Sequence, residues 1–127
     1  MPGYVPHLLL RNDGSFSPIA VSLRDAGYVV TKMTDDDALL QALTRQPIEA
    51  VLVELPAVAT IRSLRLLQTH ASHVPLLAAT ASPDVIRRAI ATTNAELFDL
   101  RDLDADIVSA TDLLLARSAN VQMPYAS

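Results

Sequence analysis

The sequence predicts an α/β fold: one open, doubly wound sheet of five parallel strands with helices on both faces. Three observations predict it. Short apolar runs alternate along the chain with longer segments of helical period, the pattern of strands joined by crossover helices. The runs are apolar on both of their faces, as strands covered by helices on either side must be. The chain has 127 residues, half of them hydrophobic, enough for one full core and too few for two.

The elements follow in order. The first strand, β1, is expected at His7–Leu10. Ser17 and Pro18 supply an N-cap and a proline at the first helical position for α1, and Gly27 lies just past its end, where a left-handed residue is wanted. Tyr28–Thr31 reads as β2. Thr34-Asp35-Asp36-Asp37 resembles a capping box that opens α2, its carboxylates facing the positive end of the helix dipole, before Leu39, Leu40 and Leu43 turn inward. Ile48–Glu54 is β3. Thr60 or a neighbour starts α3, which continues through Ile61, Leu64 and Leu67; Pro75–Thr80 is β4. Ser82-Pro83-Asp84 starts α4, running through Val85, Ile86, Ala89 and Ile90. Glu96–Leu100 is β5, and α5 runs from about Asp104 to Ser118. The expected organisation is one domain over 1–127, with its core at about 5–118 and a polar tail or linker at 119–127.

Composition excludes several classes of function. A net charge of −4 and a pI near 5.1 offer nucleic-acid phosphates no broad cationic surface. With no cysteine there is no disulfide framework and no thiolate metal site. The N-terminus lacks a basic region followed by a long apolar stretch, and no window reaches the ~18 apolar residues of a membrane span. The expectation is a cytoplasmic protein without membrane insertion.

Candidates for chemistry are few. A helix start fully explains the acidic triplet at 35–37, without a metal. No glycine follows Gly27, which removes phosphate-cradling loops from most of the chain; Gly14, in Asn12-Asp13-Gly14-Ser15, reads as a turn. His70 and His73 have no third ligand in reach by sequence. Ser63, Ser82 and Ser109 lack the glycine neighbours of a nucleophile elbow. Arg62, Arg65, Arg87 and Arg88 read as the wet faces of α3 and α4.

Three strings carry a family resemblance. Leu23-Arg24-Asp25-Ala26-Gly27-Tyr28-Val29-Val30 resembles the end of the first helix running into strand two of receiver domains in bacterial two-component signalling. Pro75-Leu76-Leu77-Ala78-Ala79-Thr80-Ala81 resembles their fourth strand, and Asn94-Ala95-Glu96-Leu97-Phe98-Asp99-Leu100-Arg101 their approach to the fifth. The resemblance covers about residues 5 to 118. It implies the flavodoxin/CheY-like three-layer sandwich, with strand order 2-1-3-4-5.

The resemblance also implies a site that has lost its chemistry. Receivers hold Mg²⁺ with two carboxylates after β1 and an acceptor aspartate after β3, then bind the phosphoryl group with a hydroxyl and a lysine. Here the acidic pair maps onto Arg11 and Asn12, with Asp13 as the neighbour that a one-residue shift would bring in. Glu54 falls at the acceptor, Thr80 at the hydroxyl, Phe98 at the switch aromatic and Arg101 at the lysine; Lys32 is the only lysine in the chain. Glu54 is one methylene longer than aspartate, and in-line transfer tolerates about 1 Å of misplacement poorly. An ion pair of Glu54 with Arg11 or Arg101 is expected to fill the pocket.

The expected function is therefore that of a non-phosphorylatable pseudo-receiver: not an enzyme, without metal or cofactor, signalling through protein contacts and possible as the front of a larger regulator. The expected working surface is the α4-β5-α5 face, through Ala89, Ile90, Ala110 and Leu113, pairing with a protein partner or as a homodimer. The alternatives are a small-anion-binding domain or enzyme of flavodoxin-like type, using Arg11, Asn12, Asp13, Glu54, Thr80, Ser82 and Arg101, and a still phosphorylatable atypical receiver.

Overall fold

Strands rich in leucine and valine pair side by side here because each must bury both faces at once. In the computed structural model, which describes residues 5–89 and 95–122, five of them form one parallel sheet in the order β2-β1-β3-β4-β5. The elements are β1 His7–Asn12, α1 Pro18–Asp25, β2 Val29–Met33, α2 Asp36–Arg45, β3 Ala50–Glu54, α3 Ala57–His70, β4 Leu76–Thr80, α4 Pro83–Ala89, β5 Glu96–Asp99 and α5 Ile107–Gln122.

The two-residue period of a strand sorts the core into two layers. Leu9, Val51, Val53 and Ala78 face α2, α3 and α4, where Leu39, Leu64, Leu67 and Ile86 meet them. Leu8, Leu10, Ala50, Leu52, Leu77 and Ala79 face the other way, onto Ile19 and Leu23 of α1 and Ile107 and Leu114 of α5. The expected α/β class and strand order are those observed.

Several boundaries differ from the sequence expectation. β1 runs two residues beyond Leu10, because Arg11 pairs with Met33 and Asn12 with Glu54 in the ladder whatever their side chains. β2 covers 29–33 rather than 28–31, β3 starts at Ala50 rather than Ile48, β4 starts at Leu76, and β5 ends at Asp99. The cap of α2 is Asp35, whose side chain accepts from the Ala38 N–H at 2.7 Å; Thr34 is not the capping residue. Helix α3 begins at Ala57, ahead of Thr60, with Pro56 at the N-cap position and no side-chain cap. Thr60 sits inside the first turn and donates its hydroxyl to the Leu55 carbonyl at 2.8 Å. Helix α5 starts at Ile107, behind Asp106, which accepts from the Val108 N–H at 3.0 Å, and extends to Gln122. Ser17 and Gly27 act as expected: the serine hydroxyl accepts from Ala20 N–H, and the glycine takes φ of 103°.

Candidate functional site

In a parallel sheet all strands end on the same edge, so the loops after β1, β3, β4 and β5 gather there. A cleft of about 280 Å³ opens at this edge, lined by Asn12, Asp13, Ser15, Glu54, Leu55, Pro56, Ala57, Thr80, Ala81, Ser82 and Leu100. Of the residues expected to share a pocket, Asn12, Asp13, Glu54 and Thr80 come together in this cleft. Arg11 and Arg101 do not line it.

Glu54 is held from the α1 side of the sheet. Its Oε1 accepts a hydrogen bond from the Ser17 hydroxyl at 2.8 Å and a longer one from the Asn12 side-chain amide at 3.4 Å. Ser17 and Asn12 are both almost fully buried, at 1% exposure each. The Ser17 oxygen works in two directions, accepting from the Ala20 N–H at 3.1 Å while donating to Glu54, so one hydroxyl joins the start of α1 to the end of β3. Sequence reading assigned Ser17 only a cap. The missed signal was its position: a helix cap directly after β1 must lie at the same sheet edge as Glu54.

The expected ion pair between Glu54 and Arg11 or Arg101 is absent, and the alternation of strand side chains explains the Arg11 half. Arg11 shares its face with Leu9, beside α2, whereas Asn12 and Glu54 share theirs with Leu10 and Leu52. Arg11 instead pairs with Asp36 at 2.7 Å and donates to the Asn12 carbonyl at 3.0 Å. Asp36 also accepts from the buried Ser63 hydroxyl at 2.7 Å. Burial works against the Asp36 carboxylate, but the Ser63 hydroxyl and the Arg11 guanidinium outweigh it and hold its pKa below the ordinary value. Arg101 folds back on Asp99, donating to both carboxylate oxygens at 3.0 Å. Those hydrogen bonds lower the Asp99 pKa and raise that of Arg101.

The polar groups of the cleft are largely committed to its own loops. Asn12 Oδ1 accepts from the Gly14 N–H at 2.7 Å, in a turn where Gly14 takes φ of 95°. Asp13 Oδ1 accepts from the Ser15 hydroxyl at 2.6 Å and the Ser15 N–H at 2.9 Å, which lowers its pKa. Thr80 accepts from the Ser82 N–H at 2.9 Å. Lys32, the only lysine, reaches the rim and donates to the Ser15 carbonyl at 3.0 Å. A Mg²⁺ ion needs several oxygen ligands in near-octahedral array. The donor set does not fit it: Asn12 turns an amide N–H toward Glu54, and Asp13 is bound into its own turn. Among the described residues no group of three or more His, Cys, Asp or Glu side chains could hold a metal.

Phe98 is half-buried against the α1/α5 layer of the core. On the face expected to bind partners, Ala89 and Ala110 are half-buried, packed against the two core layers, while Leu113 is 51% exposed. Ile90 lies outside the described residues.

Comparison with known proteins places this geometry in a fold. No family model matches the chain, and no curated protein matches it. Solved structures do. A signal receiver domain of an HD domain-containing protein from Pseudomonas fluorescens matches with a TM-score of 0.75 at 16% identity, covering 98% of this chain and 97% of that one. The chain has the receiver fold. The receiver domain of a sensor histidine kinase from Pseudomonas aeruginosa, with a magnesium ion coordinated in its active-site cleft, matches with a TM-score of 0.64 at 22% identity, covering 91% and 99% of the two chains. A protein described as an adenylate cyclase, from Rhodopirellula baltica, matches with a TM-score of 0.75 at 14% identity, covering 94% and 93%. Among the described residues no helix is long and apolar enough to cross a membrane.

Proposed function

We propose that this chain is a receiver-like signalling module that is not phosphorylated and acts through protein contacts. The observation that carries the proposal is the state of Glu54, a carboxylate held by Ser17 and Asn12; the sequence resemblance assigns this residue to the receiver acceptor position. Phosphoryl transfer needs positioning and cationic stabilisation of charge on the transferring group. The cleft presents two carboxylates, Asp13 and Glu54, and no cationic side chain among its lining residues. Arg11 and Arg101 are spent on Asp36 and Asp99.

The same charge pattern argues against the small-anion reading, because a cleft lined by two carboxylates repels a phosphate or a carboxylate ligand. Glu54 is instead a permanent fixed charge of about one unit, where a phosphoryl group brings nearly two. It ties β3 to α1 in one arrangement.

The proposed output is a partner protein docked on the α4-β5-α5 face, a second copy being one form of that partner. Exposed apolar side chains there support it: Val85 at 44% on α4, Leu113 at 51% on α5 and Leu103 at 98% in the loop between β5 and α5. Leu113 stands clear of the core line Ile107, Thr111 and Leu114, so Leu113→Asp tests the face without removing packing. With the wild-type chain as bait, the same partner is retained with and without acetyl phosphate and Mg²⁺, and Leu113→Asp loses it at unchanged thermal stability. Capture that requires the phosphodonor, or that ignores Leu113→Asp, contradicts the proposal.

A further inference from the structure

The cleft at the sheet edge carries charge that the chain itself does not use up. Apolar side chains make much of its wall, from Leu55, Pro56, Ala57, Ala81 and Leu100, and two carboxylates, Glu54 and Asp13, line it with them. Among the described residues each carboxylate takes its hydrogen bonds through one oxygen alone. Glu54 accepts from Ser17 and Asn12 at Oε1, and Asp13 accepts twice from Ser15 at Oδ1. Glu54 Oε2 and Asp13 Oδ2 are left for another donor.

Cations of the chain do not neutralise the two carboxylates. Arg11 and Arg101 are bound to Asp36 and Asp99, and among the described residues no ion pair reaches Glu54 or Asp13. The Lys32 ammonium donates to the Ser15 carbonyl; the Ser15 hydroxyl does most to lower the Asp13 pKa, and Lys32 does least. The rim is apolar as well as acidic. Phe16 lies between Ser15, which lines the cleft, and Ser17, which binds Glu54, and is 76% exposed. At about 280 Å³ the cleft is below the ~300 Å³ where pockets for drug-sized ligands begin, and it has room for one long side chain.

We infer that this cleft receives an arginine side chain of a partner protein, carried on an apolar segment. A guanidinium is planar, always charged and less strongly hydrated than an ammonium, and its fork of N–H donors matches carboxylate oxygens. In the cleft it donates to Glu54 Oε2, the Asp13 carboxylate adds a second negative charge, and its flat face lies on the apolar wall. An arginine ringed by apolar contacts that exclude water is the pattern of a dominant interface residue. A free polyamine would meet the carboxylates but leave Phe16 and Leu100 uncovered, and an acidic segment would meet like charge, which costs affinity. The inference goes beyond the proposed signalling role and does not rest on it, since the contact uses the cleft and not Leu113 of α5.

A nuclear magnetic resonance titration of the isotope-labelled chain with the peptide acetyl-Leu-Arg-Leu-amide, in buffer without Mg²⁺ or a phosphodonor, tests it. The amide signals of Ser15, Ala57, Ala81 and Leu100 should move. Affinity should be about tenfold above that of the same peptide with glutamine in place of arginine, the scale of one close charge pair. Glu54→Gln keeps an acceptor for Ser17, and Asp13→Asn keeps one for Ser15. Each should lower the affinity of the arginine peptide toward that of the glutamine peptide, at an unchanged unfolding midpoint. Absence of those shifts at millimolar peptide overturns the inference. So does equal binding of the glutamine peptide, an arginine peptide that binds both variants as it binds the wild type, or putrescine that moves the same signals at equal concentration.

Discussion

Glu54 differs from aspartate by one methylene, and its reach to the Ser17 hydroxyl is what makes it a fixture of the sheet edge. Removing it leaves the buried Ser17 hydroxyl without its acceptor, while Asn12 Nδ2 keeps the Ser15 carbonyl at 3.4 Å. An unsatisfied buried donor costs about 1–3 kcal/mol, so Glu54→Ala should lower the unfolding free energy by about 2 kcal/mol, read from urea titration. The Arg11–Asp36–Ser63 cluster predicts a pH effect. The folded-state pKa of Asp36 is depressed, so its contribution is present above the unfolded carboxylate pKa and is lost as pH falls through the lowered folded value. Arg11→Ala should therefore cost about 2 kcal/mol near neutral pH, at the low end for a pair that keeps some solvent contact, and the difference from wild type should shrink in acid. Thr111 gives the opposite sign: its hydroxyl is buried with no hydrogen-bond partner among the described residues. Thr111→Val keeps the shape and removes the orphaned group, and should add about 1 kcal/mol. Residue types at the site were legible in the sequence; their partners were not. The alternation of β1 would have separated Arg11 from Glu54, but only once the strand was known to extend through Asn12.

At the level of elements, apolar runs and caps fixed the helices and strands to within a few residues, and the errors share a cause. Polar side chains at a strand end read as loop, yet the backbone ladder continues through Arg11 and Asn12 because neighbouring strands supply the partners. Thr60 read as a cap because threonine is a good one. Pro56 takes the N-cap position instead, with φ of −55°, and α3 starts without a side-chain acceptor. Where a cap is made by a side chain, its loss is measurable. Asp35→Ala removes the acceptor for the Ala38 N–H and should cost about 1 kcal/mol, seen as a lower midpoint in thermal unfolding with the helical circular-dichroism signal intact at low temperature.

For the whole molecule, the fold was legible because strand and helix periods alternate along the entire chain, and the sheet order followed from the receiver resemblance. The surface was less so, since exposure depends on which neighbours a helix finds. Leu113 and Leu114 are adjacent and equally apolar, but only Leu114 meets the sheet. A receiver fold is proposed to persist here without its phosphoryl chemistry, and intact-mass spectrometry of the chain after incubation with acetyl phosphate and Mg²⁺ checks this. The mass should stay unchanged; a gain of one phosphate that hydroxylamine removes, mapped to Glu54 or Asp13, would show that the chemistry persists.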